Sequence, residues 1–103
     1  MEEKHQETVR VFKAFCDEKR LEILTMLRNG EKCACVLLSQ MDISQSTLSY
    51  HMKVLCESGI VQSRQEGKWT HYRLDSNGAQ VAQWLLRELL KETDSKEQEM
   101  QCS

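Results

Sequence analysis

The sequence predicts a mainly α-helical fold with a small β-hairpin, and three observations carry that expectation. The 103 residues include no proline and only four glycines, so little in the chain interrupts a helix. Apolar residues recur at three- and four-residue spacing in successive stretches from Val9 to Leu90. Ahead of the last of these, Ile60 to Gln65 and Trp69 to Leu74 read as two strands joined at Glu66-Gly67.

The first helix is expected over about Glu3 to Phe15, with Val9, Phe12 and Phe15 spaced three apart and Val11 beside them. Asp17 suits the N-cap of a second helix, Glu18 to Leu27, whose buried face is Leu21, Leu24 and Leu27 with Ile23; Asn29-Gly30 ends it. A short third helix runs from Ala34 to Met41, with Cys33 and Cys35 at its start. After the tight connection Asp42-Ile43-Ser44 comes the stretch that organises the rest, Ser44 to Gly59. There Leu48, Met52 and Leu55 recur at i, i+4 and i+7 on one face. Gln45, Ser46, Thr47, Ser49, Tyr50 and Lys53 cover the leading and opposite faces, Ser44 can cap the start and Gly59 can close the end. In the hairpin, alternation separates Trp69, His71 and Arg73 from Thr70, Tyr72 and Leu74, and Tyr72 and Leu74 are expected inward. The last helix, Ser76 to Thr93, carries Val81, Trp84, Leu85, Leu86, Leu89 and Leu90. That apolar surface is too wide for one small core and points to a second subunit. The domain is thus expected over residues 1–93, with a flexible polar tail over 94–103.

A hydrophobic content of 40% and a charged content of 29% describe a soluble globular chain. No apolar run reaches the length of a membrane span, and MEEKHQE lacks the features of a signal peptide, so the expected location is cytoplasmic. In that reducing compartment Cys16, Cys33, Cys35, Cys56 and Cys102 are expected as thiols. The net charge of -2 does not advertise a nucleic-acid binder, but its distribution does more. Gly59 to Leu74 carries Arg64, Lys68 and Arg73 against Glu66 alone, while acidic residues dominate from Asp75 onward. No enzyme is expected. The chain has no phosphate-cradling glycine loop, no HExxH and no nucleophile–base pattern, and CxC is not the redox CxxC. No catalytic residue or organic cofactor follows from it.

Two helices joined by a tight turn, the second with a polar leading face, form the helix-turn-helix arrangement that enters a DNA major groove. A basic, aromatic hairpin directly behind it makes a winged helix-turn-helix. FKAFCDEKRLEIL, EKCACVLL, SQSTLSYHMKVLCESGIV and EGKWTHYRL, in that order, resemble the successive signatures of the ArsR/SmtB family of metal-responsive repressors. The resemblance runs without a gap over roughly residues 9 to 90. It implies a homodimer, joined through the first and last helices, that binds double-stranded operator DNA and releases it on binding an inducer. Its two recognition helices would read half-sites about one DNA turn apart. Ser44, Gln45, Ser46, Thr47, Ser49, Tyr50 and Lys53 are the expected readers. His51 resembles a family position near the DNA, and Arg64, Lys68 and Thr70 are the expected phosphate contacts. A winged-helix protein-interaction module without DNA binding is the alternative from another class.

Cys33 and Cys35 are the sharpest candidates for the signal. Thiolates select thiophilic ions over magnesium or calcium, and a helix N-terminus favours the thiolate, so both pKa values are expected to be lowered. On a regular helix residues i and i+2 point about 200° apart. Gripping one ion is therefore expected to distort the third helix and, through it, the reading helix. In arsenic-responsive relatives this segment resembles CxCxxC, with As(III) or Sb(III) held by three thiolates; here Leu38 stands in the third place. The implied inducer is As(III) or Sb(III) on Cys33 and Cys35, alone or with Cys16 or Cys102. Cys56 is expected in the core. Cd(II), Pb(II), Bi(III) or thiol oxidation are the alternative signals. The zinc-type ligands that the family places on the last helix are not matched, because Ser76 to Thr93 has no histidine and offers only Glu88 and Glu92.

Overall fold

Side-chain caps, three of them from oxygen, open four of the helices in the computed structural model, which describes residues 2–93. The order is α1 (Glu2–Lys13), α2 (Glu18–Met26), a 3-10 turn at Leu27–Asn29, β1 (Lys32–Cys33), α3 (Ala34–Ser39), α4 (Gln45–Glu57), β2 (Val61–Glu66), β3 (Trp69–Leu74) and α5 (Ser76–Leu89). Asp17 accepts from the backbone N–H of Lys19 and Arg20, Ser44 from that of Thr47, and Asp75 from those of Asn77 and Gly78. Each such cap contributes about 1 kcal/mol to its helix. The tail over 94–103, with Cys102, lies outside the described residues.

The core forms around α4. Leu48, Met52 and Leu55 are buried as their spacing predicts, against Val11, Ala14, Ile23, Leu27, Leu37, Ile60, Val61, Ala82 and Leu85. Two expectations for the first helices are corrected. The buried residues here are Val11 on α1 and Ala14 just past its end, while Val9 on the helix and Phe15 beyond it are exposed. Alanine contributes little to an apolar pattern, so the larger residues draw the reading onto the neighbouring face. On α2 Ile23 is buried but Leu21 is 45% exposed. Tyr72 and Leu74 pack against the core, as expected. On α5 only Ala82 and Leu85 are buried, which leaves Trp84, Leu86, Leu89 and, just past its end, Leu90 exposed.

The hairpin is one strand short of the observed sheet, whose antiparallel order is β1-β3-β2. Lys32 pairs with Tyr72 and Cys33 with His71, so the residues expected to lead into α3 first join the wing. On the other side the register runs from Val61 opposite Leu74 to Glu66 opposite Trp69. The turn is therefore Gly67-Lys68, one residue later than expected. Gly67 has φ +62, which suits the first central position of a hairpin turn whose twist matches its strands. No helix among the described residues is long and apolar enough to cross a membrane.

Helix α5 starts hard against the end of α4. The Asp75 N–H donates to the Ile60 carbonyl at 2.8 Å. A Cβ on Gly78 would lie 1.7 Å from the Gly59 carbonyl oxygen and 2.6 Å from its carbon. These are backbone atoms and cannot rotate aside. Gly78→Ala is therefore expected to destabilise the protein by about 2 kcal/mol or more. Urea unfolding should show a lower midpoint at unchanged slope; an unmoved midpoint means that α5 can slide at no cost.

Candidate DNA interface and thiol site

The outward face of α4 is short and polar. Ser44 to Thr47, Ser49, Tyr50 and Lys53 are exposed, and Ser44 Oγ bonds to the hydroxyls of Ser46 and Thr47 at 3.2 and 2.9 Å. On the wing, Lys68 Nζ lies 5.6 Å from the Trp69 ring centroid, and Thr70 Oγ1 donates to Gln65 Oε1 at 2.9 Å. Gln45 and Ser49 of α4 and Lys68, Trp69 and Thr70 of the wing border one cleft, with Cys35 in its wall. The structure thus brings Gln45, Ser49, Lys68 and Thr70, four of the expected DNA-facing residues, to one cleft.

Two others are placed differently. His51 is 6% exposed and points inward. Its Nδ1 is 3.0 Å from Arg20 Nη1, and its Nε2 is 3.9 Å from an Asp17 carboxylate oxygen. A guanidinium only donates, so Nδ1 accepts and the ring proton sits on Nε2. Arg20, itself buried, also donates through Nε to the Lys13 carbonyl at 3.0 Å. Arg64 is exposed but occupied. Its Nε and Nη2 donate to the two Glu31 oxygens at 3.1 and 2.8 Å, and Nη1 donates to Glu66 at 3.3 Å. These carboxylates raise its pKa further, and the Arg64 guanidinium holds the Glu31 carboxyl below the usual carboxylate range.

Cys33 and Cys35 converge. Cys33 caps α3 with extended backbone, φ -70 and ψ 146, so the divergence of two helical residues does not arise. Its Sγ accepts from the Cys35 thiol at 2.7 Å and from the Cys35 N–H at 3.3 Å. No distortion of the helix is needed to bring the two sulfurs to one ion, which corrects the expectation from sequence. The expected lowering of both thiols is corrected as well. Hydrogen bonds from the Cys35 thiol, the Cys35 N–H and the Val36 N–H lower Cys33. Cys35 is raised, because it donates to Cys33 and then faces its negative charge. Such a pair, with one sulfur primed and the other reached from solvent, can hold a thiophilic ion in place of the shared proton. Among the described residues no third cysteine, histidine or carboxylate joins them in a group of metal-holding geometry. Cys16 is exposed and its Sγ donates to the Phe12 carbonyl at 3.2 Å. Cys56 packs against the core but is only half-buried, and burial pushes its thiol up.

Residues 17–63, from the cap of α2 into β2, match the family profile described as bacterial regulatory protein, arsR family. The chain is also 39% identical over 79 residues to the arsenical resistance operon repressor of Bacillus subtilis, covering 76% of this chain and 73% of that one. It belongs to the arsR family. Over 67 residues it is 45% identical to the arsenical resistance operon repressor of Escherichia coli, covering 64% of this chain and 57% of that one. Among solved structures, a possible transcriptional regulator for arsenical resistance matches with TM-score 0.69 at 28% identity, over 81% of this chain and 85% of that one. As an arsR-family member the chain is a transcriptional regulator and not an enzyme. Helices α3 and α4 with the β2–β3 wing are its DNA-binding winged helix-turn-helix.

Sequence reasoning misses three features of this arsR-family site. Arg20 stands three before Ile23 and seven before Leu27, a charged residue on the buried stripe of α2, and that placement is the available signal. Glu31 finds its partner 33 residues along the chain, beyond any local pattern. Cys33 reads as a helix start and not as a strand residue.

The Glu31–Arg64 pair carries a pH dependence of definite sign. A lowered carboxyl contributes stability above its unfolded pKa and loses it as pH falls through the folded value. Acidification from about pH 5 to about pH 3 should therefore cost the wild type more thermal stability than Glu31→Gln. Parallel acid slopes for the two proteins count against a stabilising pair.

Proposed function

We propose that this arsR-family chain is a homodimeric repressor that holds operator DNA and releases it when As(III) or Sb(III) binds Cys33 and Cys35. The observation that carries the reading is the 2.7 Å approach of the two sulfurs on the turn between β1 and α3. That turn adjoins both DNA-facing elements. Cys33 is paired with His71 on the wing, and Leu37 of α3 is buried in the cluster that holds α4. Replacing a shared proton by an arsenic atom bonded to both sulfurs changes the one turn on which both elements rest.

In this reading Ser44, Gln45, Ser46, Thr47, Ser49, Tyr50 and Lys53 face the major groove, and Lys68 and Thr70 approach phosphate. Arg64 reaches phosphate only by exchanging carboxylate partners, so its first role is to hold the wing, and His51 positions α4 from inside. Dimerisation uses the apolar surface of α1 and α5. Phe12, Phe15, Leu21, Leu24 and Leu86 border a groove of about 920 Å³, with Trp84 and Leu89 exposed on the same helix α5. Burying such a patch in a second copy is the economical way to remove it from water.

Cys33→Ser and Cys35→Ser should each leave operator affinity nearly intact and abolish release by arsenite, read by mobility shift with the reduced protein. Release that survives in the double mutant moves the sensor elsewhere.

The two halves of the DNA face should respond differently to truncation. Lys68→Ala should weaken binding to all sequences and lower the salt slope by about one for each phosphate it no longer neutralises. Gln45→Ala should instead reduce discrimination between operator and mutated operator by about 1–3 kcal/mol if its contact is bidentate. Affinities measured across a salt series on both DNAs separate the two roles, and the reverse pattern exchanges them.

A further inference from the structure

The inner face of α4 carries one side chain of a type that changes its charge near neutral pH. His51 is buried, and its two ring nitrogens meet two charged groups at the start of α2. Arg20 Nη1 donates to Nδ1 at 3.0 Å, and an Asp17 carboxylate oxygen lies 3.9 Å from Nε2. The Tyr50 ring leans on the imidazole at 5.7 Å. The other charged residues on the elements packed against α4 are engaged elsewhere. On α1, Glu7 and Arg10 border a hollow at Cys56 and Gly59, and Lys13 offers Arg20 its carbonyl. On α2, Glu18 and Glu22 line a hollow at Leu21, and Lys19 pairs with Glu22. Arg64 of β2 is held by Glu31 and Glu66.

Arg20 and Asp17 make opposite demands on the ring. A guanidinium only donates, so Arg20 requires a bare Nδ1 and hence a neutral imidazole. A proton on Nδ1 sets donor against donor and cation against cation at 3.0 Å, away from solvent. The Asp17 carboxylate favours the charged ring, whose Nε2–H it can accept once the present 3.9 Å closes. One placement of the ring cannot serve both states. Neither neighbour is free to follow it, because Arg20 Nε is bound to the Lys13 carbonyl and the Asp17 oxygen caps α2. The adjustment falls on His51 and therefore on α4. We propose that Arg20 is a positioning residue for DNA recognition, that it acts on α4 through His51, and that one proton on His51 releases its hold. The inference rests on the reading of α4 as the DNA-reading helix. Its sign runs against the usual one. Acid makes a protein more positive and strengthens non-specific attraction to phosphate, whereas this proton weakens recognition of the operator.

The test uses the full-length reduced protein with an operator duplex and a scrambled duplex at constant ionic strength. The pH runs from about 7.5 to about 5.5, where imidazole takes up its proton. The ratio of operator to scrambled affinity should fall about tenfold over that range, with helical circular dichroism unchanged. In His51→Asn the side-chain Oδ1 can accept from Arg20 near the place of Nδ1 but does not titrate. Its ratio, at whatever level it starts, should not change with pH. NMR of the His51 ring in the wild type gives a reading that needs no substitution. Operator, added where the ring is half protonated, should drive the proton off, because the two binding events oppose each other. A flat wild-type ratio, a fall of the same size in His51→Asn, or operator that leaves the proton in place overturns the proposal. Operator binding that is absent at every pH removes the reading of α4 as well.

Discussion

Cys33 is at once the last residue of a strand and the cap of a helix, and the geometry of the site depends on that double membership. As a strand residue it lies opposite His71 on the wing. As a cap it keeps extended backbone, which turns its sulfur back onto Cys35 instead of away from it. A two-residue ladder is weak by itself. The Glu31–Arg64 ion pair reinforces it from one residue before β1, reaching past β3 to β2, so that the pair ties the far strand of the sheet to the approach to the thiols. Its side chains are partly exposed, so solvent screens the attraction and the value of the pair lies more in register than in raw stability.

Helix α4 is fixed by a second device. Its apolar face sets how deeply it sits, but Leu48, Met52 and Leu55 alone could tolerate rotation and sliding. The Arg20–His51 contact adds direction. It joins α4 to the start of α2, and through the Lys13 carbonyl to the end of α1. Buried polar groups are costly unless satisfied, and among the described residues no buried side-chain nitrogen or oxygen lacks a partner. A helix whose outer face must meet a groove at a set angle gains from a contact that holds in only one orientation.

The fold is legible where a local rule has one solution. Ser44 as cap and the spacing of Leu48, Met52 and Leu55 place α4 within a residue or two. The excess apolar surface of α5 is equally plain, and Trp84 and Leu89 remain exposed as that reading requires. What escapes is non-local or too short to have a period. Two residues cannot alternate, so β1 has no signature of its own, and without it Cys33 looks helical and divergent from Cys35. His51 sits in a polar run and reads outward, although it lies three residues after Leu48 and four before Leu55, on the buried stripe. The opposite pKa directions of the two thiols are illegible for the same reason as their distance, since both follow from the extended backbone of one residue.

That backbone also limits how a signal can leave the site. A pair of helical cysteines would have to unwind α3 to hold one atom, and the unwinding would itself be the message. Here the sulfurs already meet, and the third place on α3 is Leu38, part of the packing around the core rather than a ligand. In a sensor built this way, binding cannot act mainly by melting the first turn of α3. Two routes remain in the geometry. One runs through the Cys33–His71 pairing into the wing, and the other through α3 into the cleft that Cys35 shares with α4 and β3. Both end between α4 and the wing, the two elements that the proposed reading of the DNA face needs together. Under the proposed function, repression would depend on the spacing of these two elements, and induction would require only that the spacing change.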